Sequence, residues 1–502
     1  MILGYISIGL TLVAVLALMI LNLRARYYYF GIYLIGALLL LSTTLASSQL
    51  VGTDINVEYY YARQALINGW SISLPHSFNS SMVLTILAPL LSGEGSNQSD
   101  LLIVFKVVFP LLFAYVPVLL LYIYSRFMPM KWAFISAFVF VLVPTFFLEM
   151  PQISRQMIAE LIVVGMMALL MSKLAHKWKM LGLLLGSLAV VVSHYSVATF
   201  WFVFLFATVI GYWLHNEKPW RVLDVGFILI ASLALFYAYS HWVSSGWQVE
   251  DIGNAVQGLA ANIQGLNPNS GIDNKSSVNL LPIILTLILS YGIYRLLKSK
   301  EAPKLYKVWI ATASLLLIIG VIYPAVSNTI NFSRYYHLML IILAPAVVYS
   351  FQRNTLKIAT SLALILFLFS SGLIFNLLKI DNIEKNQIPY SIALENKRLD
   401  AGNYLTSDDD KVAKWAYDNH IQKPTGDLGS MAALEHYYSI YELKPFEGFN
   451  PGDYILLRCW NTEHGTYAVT NGPGLRKQMK LPRDLKVVVV YRSGDNYLVR
   501  VK

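Results

Sequence analysis

Asp54 and Glu58 stand four residues apart in the stretch Gly52-Thr-Asp-Ile-Asn-Val-Glu-Tyr-Tyr-Tyr-Ala62. That spacing puts both carboxylates on one face of a helix. They follow one hydrophobic run and sit just ahead of an aromatic one, at the lip of a membrane helix. A carboxylate at a bilayer edge is costly unless it is solvated, paired or used. Used, such a group can take the proton from a hydroxyl as that hydroxyl attacks. The plainer alternative is an N-cap at Thr53 or Asp54 followed by a solvated Glu58. Three further segments carry groups of the same kind. Pro144-Thr-Phe-Phe-Leu-Glu149-Met-Pro-Gln-Ile-Ser-Arg155 offers a third carboxylate and an arginine. Ser193-His194-Tyr-Ser196 closes one apolar run, and Asn331-Phe-Ser-Arg334-Tyr-Tyr-His337 opens another. Arginine's planar fork suits a phosphate, to which it donates two parallel hydrogen bonds. Snorkelling to bulk headgroups is the alternative for Arg155 and Arg334, and a satisfied interfacial histidine is the alternative for His194.

The elements that must position these groups are read from hydropathy. Hydrophobic residues make up 56% of the 502 and charged ones 13%, which excludes an ordinary soluble domain. Apolar runs able to cross ~30 Å of hydrocarbon fall at about 3–22, 29–50, 102–124, 132–148, 157–172, 180–193, 197–214, 222–243, 279–297, 308–325, 335–351 and 358–379. Twelve spans are therefore expected. One set of alternate loops holds most of the positive charge, including Arg24, Arg26, Arg126, Lys131, Lys173, Lys177, Lys179, Arg295, Lys298 and Lys300. Positive charge marks the cytoplasmic side, so both termini and the loops with Asp54, Glu149, His194 and Arg334 are expected outside. The first run has no basic leader and no small-residue cleavage site, and reads as a retained helix. The net charge of +10 comes from topology-setting loops and a mixed C-terminal segment, not from a basic stripe for nucleic acid. The single cysteine, Cys459, excludes an intrachain disulfide and a multi-cysteine metal site.

Within loop 51–101 a helical pattern from Glu58 to Leu66 stops at Asn68-Gly69, and a short apolar stretch from Met82 to Leu91 is expected to rest at the interface. Loop 244–278, rich in Gly, Asn and Ser, reads as a flap or as disorder. His76 and His241 also fall at outer ends, while Glu160, four residues after Gln156, shares a helix face with it. Composition changes after 380. An amphipathic helix from Asp408, a strand through Asp453–Trp460 and a terminal hairpin from Leu485 predict a small α/β domain over 381–502.

The segment Glu58-Tyr-Tyr-Tyr-Ala-Arg-Gln-Ala-Leu-Ile-Asn-Gly-Trp70 resembles the first outer loop of the GT-C superfamily of membrane glycosyltransferases. Protein O-mannosyltransferases and the aminoarabinose transferases of lipid A carry an Asp-Glu pair there, then Tyr-Ala and Gly-x-Trp. The whole chain also resembles an archaeal family of polytopic proteins known only as predicted membrane proteins, through Gly-Thr-Asp54, Ser154-Arg-Gln-Met-Ile-Ala-Glu160, Ser193-His-Tyr-Ser196 and Ser333-Arg-Tyr-Tyr-His337. Aligned on Tyr61-Ala62, the glycosyltransferases' glutamate falls on Glu58 and their aspartate on Val57; the aspartate of this chain lies one turn earlier, at Asp54. The resemblance implies a GT-C-like helical domain over 1–380. It implies a general base at Asp54 or Glu58, with Asp54 preferred for its place at the start of the loop, and a second acidic position at Glu149. The reaction it implies moves a sugar from a polyprenyl (dolichyl) phosphate to a hydroxyl acceptor outside the cell membrane, with inversion.

Arg155, Arg334 and His194 are then the candidates for the donor phosphate, and Tyr60, Tyr61 and His337 for substrate. Mg²⁺ or Mn²⁺ is compatible with Asp54 and Glu149, although their spacing does not demand it. A flippase or transporter, or a glycan ligase using outer arginine and histidine, is the alternative. The expected partners are a lipid-linked sugar and a glycan, lipid or protein acceptor within a membrane, with no nucleic acid. The topology has a direct test in intact cells carrying Cys459→Ser. Cysteines at Ser96, Ser270 and Ser493 should react with an impermeant thiol reagent, and one at Ser299 should not; outside labelling at Ser299 would invert the orientation.

Overall fold

The computed structural model describes residues 2–52, 54–70, 81–93, 98–243, 280–322, 332–351, 355–379, 394, 406–421, 424–426, 430–438, 450–464, 466–470, 476–480 and 486–502. Thr53, His76 and loop 244–278 lie outside the described residues. The chain is mostly helical with a small sheet near its C-terminus. Over its described residues each of the twelve apolar stretches is largely helical, and two further helices, the third and fourth in chain order, lie within loop 51–101. In order the helices are α1 (Ile2–Ile20), α2 (Ala25–Thr44), α3 (Asp54–Asn68), α4 (Val83–Ser92), α5 (Asp100–Tyr124), α6 (Met130–Val141), α7 (Ser154–Met171), α8 (His176–Ser193), α9 (Tyr195–Leu214) and α10 (Pro219–Val243). They continue with α11 (Leu280–Lys298), α12 (Lys304–Ile322), α13 (Phe332–Tyr349) and α14 (Leu356–Ser370). Among the described residues, α1, α2, α5, α7, α9 and α10 are long and apolar enough to cross a membrane. A seventh span results if α6 and the bent segment that follows it are taken together.

That bend determines where Glu149 lies. Pro144 supplies no backbone N–H to the ladder, and the chain turns by 56° between α6 and the segment Thr145–Gln152. Thr145–Glu149 is a π-helical turn, and Met150–Gln152 a 3₁₀ turn. Such short irregular turns often mark functional positions. Thr43 Oγ1 donates to Phe147 O at 2.6 Å and ties the turn to the end of α2.

The helix at the centre of the bundle is α7, the most deeply buried of the candidate spans. Its first residues Ser154, Arg155 and Gln156 are buried, as is Glu160, whose Oε1 accepts from Gln156 Nε2 at 2.8 Å. The pairing of Gln156 and Glu160 expected from their spacing is therefore present. By contrast, α10 turns Leu223, Phe227 and Ile230 outward, each about two-thirds exposed or more. Asn68-Gly69 ends α3 as expected, with Gly69 at φ +74°. The short helix α4 buries Val83, Leu84 and Ala88.

The C-terminal part has the expected helix, α15 (Ser407–Asp418), followed by α16 (Met431–Tyr437) and α17 (Cys459–His464). Its sheet runs β1-β2-β6-β5, with β1 Thr425–Gly426, β2 Tyr454–Leu457, β5 Val487–Ser493 and β6 Asn496–Val501. A separate pair joins β3 (Thr466–Thr470) to β4 (Arg476–Lys480). The terminal hairpin matches the reading from sequence. The strand expected over Asp453–Trp460 is shorter, because Cys459 and Trp460 begin α17. Val412, Ala413, Ala416, Leu434, Leu456 and Leu498 form this unit's own core. At its centre lies Asp409, 1% exposed. It completes a capping box with Thr406, takes Arg458 Nε on both oxygens at 3.1 Å, and accepts from Asn496 Nδ2 at 2.9 Å.

Removing one side of such a buried pair strands the other charge. Asp409→Ala should therefore cost about 3–5 kcal/mol. Thermal unfolding and hydrogen exchange of α15 in the full chain provide the measurement; a loss below about 0.5 kcal/mol, the size of an ordinary surface change, would reassign Asp409 to a surface role.

Candidate functional site

The site is built where α3, the π-turn Thr145–Glu149, the first turn of α7, the His194 corner and the first turn of α13 meet. Glu58 is fully buried on α3 and reaches the start of α7. Its Oε2 accepts from the backbone N–H of Ser154 at 2.7 Å, and its Oε1 lies 3.2 Å from Arg155 Nε. Residue Ile153, at the N-cap position of α7, makes no side-chain cap bond. A carboxylate from another helix therefore closes this helix end, where free N–H groups and the helix dipole favour negative charge. Burial dominates its titration: the Glu58 carboxyl is pushed up to about 7, against the pull of Arg155 and of the α7 backbone, with the charge of Asp54 adding to the rise.

Above this pair lies a second, more open one. Arg334 Nη2 is 3.2 Å from Asp54 Oδ2, and Arg334 Nε is 3.9 Å from Glu149 Oε2. The side chains of Arg334, Asp54 and Glu149 are 25%, 35% and 30% exposed, so all three can meet a ligand. Ser333 Oγ donates to Glu149 at 2.7 Å and fixes its orientation. Asp54 and Arg334, 280 positions apart in the chain, are thus brought into contact.

His194 joins α8 to α9. It is buried, its ring is stacked on Tyr195, and its Nδ1 lies 2.8 Å from Ser196 Oγ. Burial holds its pKa well below the usual range, and the charges of Arg155 and Arg334 depress it further. His194 is therefore a neutral imidazole beside two arginines and does not offer a phosphate a third positive charge. Ser81 anchors this corner by donating to Ser193 O at 2.8 Å.

The structure thus brings Asp54, Glu149 and Arg334 together at the surface, with Glu58, Arg155 and His194 packed beneath. Glu58 has no exposed face for a substrate, and Arg155 is 7% exposed; both serve to position the groups above. Tyr61 follows Asp54 and Glu58 on their helix face and is 6% exposed. Tyr60 lies on the other side, its ring 5.8 Å from the Arg63 guanidinium carbon. His337, expected at the substrate, is fully buried with its ring 4.3 Å from that of Phe140 and near Phe113 and Phe146. It sits one turn below Arg334 on α13, and neither ring nitrogen has a hydrogen-bond partner among the described residues. His241 is exposed at the end of α10, its ring stacked on Tyr237 at 6.3 Å.

Several positioning residues were not evident from sequence. Lys106 Nζ donates to the carbonyls of Ser48 at 2.9 Å and Gln49 at 3.2 Å and ties down the chain leading to Gly52. Gly52 has φ +117° and packs against Gln152, where a Cβ would collide with the amide. The far side of α3 is held by the C-terminal domain. His436 Nδ1 donates to Asn56 Oδ1 at 2.7 Å, and Asn56 Nδ2 donates to Gly52 O at 2.5 Å. The His436 ring stacks on Tyr59 at 4.7 Å, and burial pushes its pKa down to about 3. Arg63 lies over the rings of Tyr417 and Tyr437 at 5.8 and 5.2 Å. None of these contacts has a local spacing signal.

No protein-family model matches this chain, and no curated protein matches it.

The raised pKa of Glu58 has a definite consequence. Between its ordinary value of 4.5 and about 7 the folded chain holds a proton that the unfolded chain has released. Stability contributed by this group therefore falls as pH rises through that window and is level above it. Thermal unfolding at pH 5, 6, 7 and 8 should show the fall in the wild type and its loss in Glu58→Gln. An unchanged slope in the variant would place the titration elsewhere.

Proposed function

We propose that this protein is a twelve-span membrane glycosyltransferase. It transfers a sugar from a polyprenyl phosphate to a hydroxyl on the face of the membrane where Asp54, Glu149 and Arg334 lie. One observation carries the reading: two partly exposed carboxylates, from separate elements, share one partly exposed arginine directly above a buried layer that orients them. The outward apolar stripe of α10 and the six to seven long apolar helices support the membrane setting. Both termini and the C-terminal domain lie on the outer side in this reading, as the loop charges imply.

The chemistry asks for a base and a cation at one point. Asp54 accepts the acceptor's hydroxyl proton while the oxygen attacks the anomeric carbon from the face opposite the phosphate. The bond from that carbon to the phosphate oxygen breaks, and its electron pair leaves with the lipid phosphate. A phosphodiester with one charge becomes a monoester with two, so an arginine beside it binds the transition state more tightly than the donor. Arg334 is the arginine exposed enough for this task. Glu149, held by Ser333, keeps Arg334 in place and is the second candidate base. One displacement gives inversion at the sugar. Asp54 and Glu149 would be the residues to hold a Mg²⁺ or Mn²⁺, which would add charge stabilisation at the leaving phosphate; in this structure both carboxylates face Arg334.

The buried Glu160 and His337 favour a second reading. Ionisable groups inside a helical bundle are frequent in transporters, and a flippase for lipid-linked glycans would place them on its pathway.

Turnover separates the two. Purified protein in detergent, with no gradient, should consume a polyprenyl-phosphate sugar. Asp54→Asn should slow this at least ~100-fold. Arg334→Ala should lower kcat as well as affinity, and Arg334→Lys should recover only part of the loss. Full turnover in both Asp54→Asn and Glu149→Gln would sink the catalytic reading.

A further inference from the structure

The far end of the bundle carries a cavity. It has a volume of about 610 Å³ and opens where the last turns of α11 and α13 meet the start of α6. Arg295, Lys298 and Lys300 line one side, and Met128, Pro129 and Trp132 part of the other. Arg295 Nη1 donates to Phe351 O at 3.1 Å, which fixes the guanidinium at the wall while leaving it further N–H donors. Lys298 Nζ lies 4.7 Å from the ring centre of Tyr294, and Tyr291 and Tyr294 are about half exposed. Glu301, the one carboxylate among the described lining residues, faces the Tyr349 hydroxyl.

Three cations, exposed tyrosines and an apolar wall in one cleft fit an amphiphile with an anionic head, and the volume suits a headgroup with the first part of its chain. The position fits as well. Arg334 opens α13 and Tyr349 ends it, so the two sites are separated by roughly 22 Å of helix at 1.5 Å per residue. That places this cleft near the opposite edge of a hydrocarbon layer from Arg334. A basic pocket between helices on the positively charged side is where an anionic lipid headgroup would be held.

We infer that the cleft formed by Arg295, Lys298 and Lys300 beside Trp132 binds the phosphate group of an anionic amphiphile. The inference rests on the membrane reading above but not on any transfer reaction. Binding at this cleft would pin the ends of α11 and α13 to one leaflet.

The test uses the full purified chain in detergent and follows bound lipid by native mass spectrometry. Dioctanoyl phosphatidylglycerol, farnesyl phosphate, dioctanoyl phosphatidylcholine and inorganic phosphate serve as probes. Phosphatidylglycerol or farnesyl phosphate should bind, and the combined Lys298→Gln and Lys300→Gln variant should bind it at least ~10-fold more weakly. Whichever of the two binds more tightly names the source, phospholipid or polyprenyl phosphate. Both lysines are exposed, so the variant should keep the wild-type unfolding temperature. Arg295→Lys gives an independent variant that retains charge and should lose part of the affinity. Both lipids are also measured on Arg334→Ala, which lacks the phosphate contact of the other site. The binding that remains should still fall at least ~10-fold when Lys298→Gln and Lys300→Gln are added, and no remaining binding of either lipid would assign it to the other site and overturn the inference. Equal binding of phosphatidylcholine, or inorganic phosphate binding as tightly as either lipid, would also overturn it. Absence of glycosyl transfer would leave the result standing, because the measurement needs only a folded chain.

Discussion

A single buried ion pair organises the working end of this molecule. Glu58 closes the N-terminus of α7 and neutralises Arg155 in the same contact. Neither charge is tolerable there alone: an unpaired buried ion would cost several kcal/mol, and α7 would expose its first N–H groups to an apolar interior. The pair therefore fixes the rotation and height of α3 against α7. Asp54 is one turn from Glu58 on α3, so its position relative to the bundle follows from that lock. The balance is close, because burial opposes the charge strongly enough to bring Glu58 near neutrality's edge at about 7.

The second layer depends on the first. Arg334 is held by Asp54 from one side and Glu149 from the other, and Glu149 owes its place to the bend at Pro144 and to Ser333. Counting the two layers, three carboxylates face two arginines, with His194 kept neutral by burial and by those arginines. Such a cluster has a weakly negative surface at Asp54 and Glu149 and positive charge at Arg334. That combination suits removal of a proton next to a phosphate. The exposed arginine is already anchored, so little side-chain freedom remains to be lost when an anion binds.

The C-terminal domain is part of this frame. Asn56 links His436 to the carbonyl of Gly52, Tyr59 stacks on His436, and Arg63 packs among tyrosines of both units. Gln49 reaches Asp410 at 3.0 Å and joins the segment before α3 to α15. Helix α3 is thus gripped on one face by α7 and on another by α16. A domain that composition separates from the helical part at about residue 380 is in the structure a wall of the acidic helix.

The helical character of the apolar runs, the end of α3 at Asn68-Gly69, the α15 helix and the terminal hairpin are all legible in the chain before it folds. These follow from hydrophobic period, turn residues and capping chemistry, all of which act over a few residues. Asp54, Glu149 and Arg334 also stand out there, because charge at the end of an apolar run is conspicuous on its own. Tertiary structure decided their partners. The spacing of Asp54 and Glu58 places them on one face, but only packing buries Glu58 beneath α7 and leaves Asp54 reachable. The segment Ser333–His337 reads as one motif, yet Arg334 meets the carboxylates while His337, a turn below, is enclosed by phenylalanines. Which face of a helix meets its neighbours, and how deeply, is set by the sum of contacts from distant segments, and that sum has no local signature in the chain.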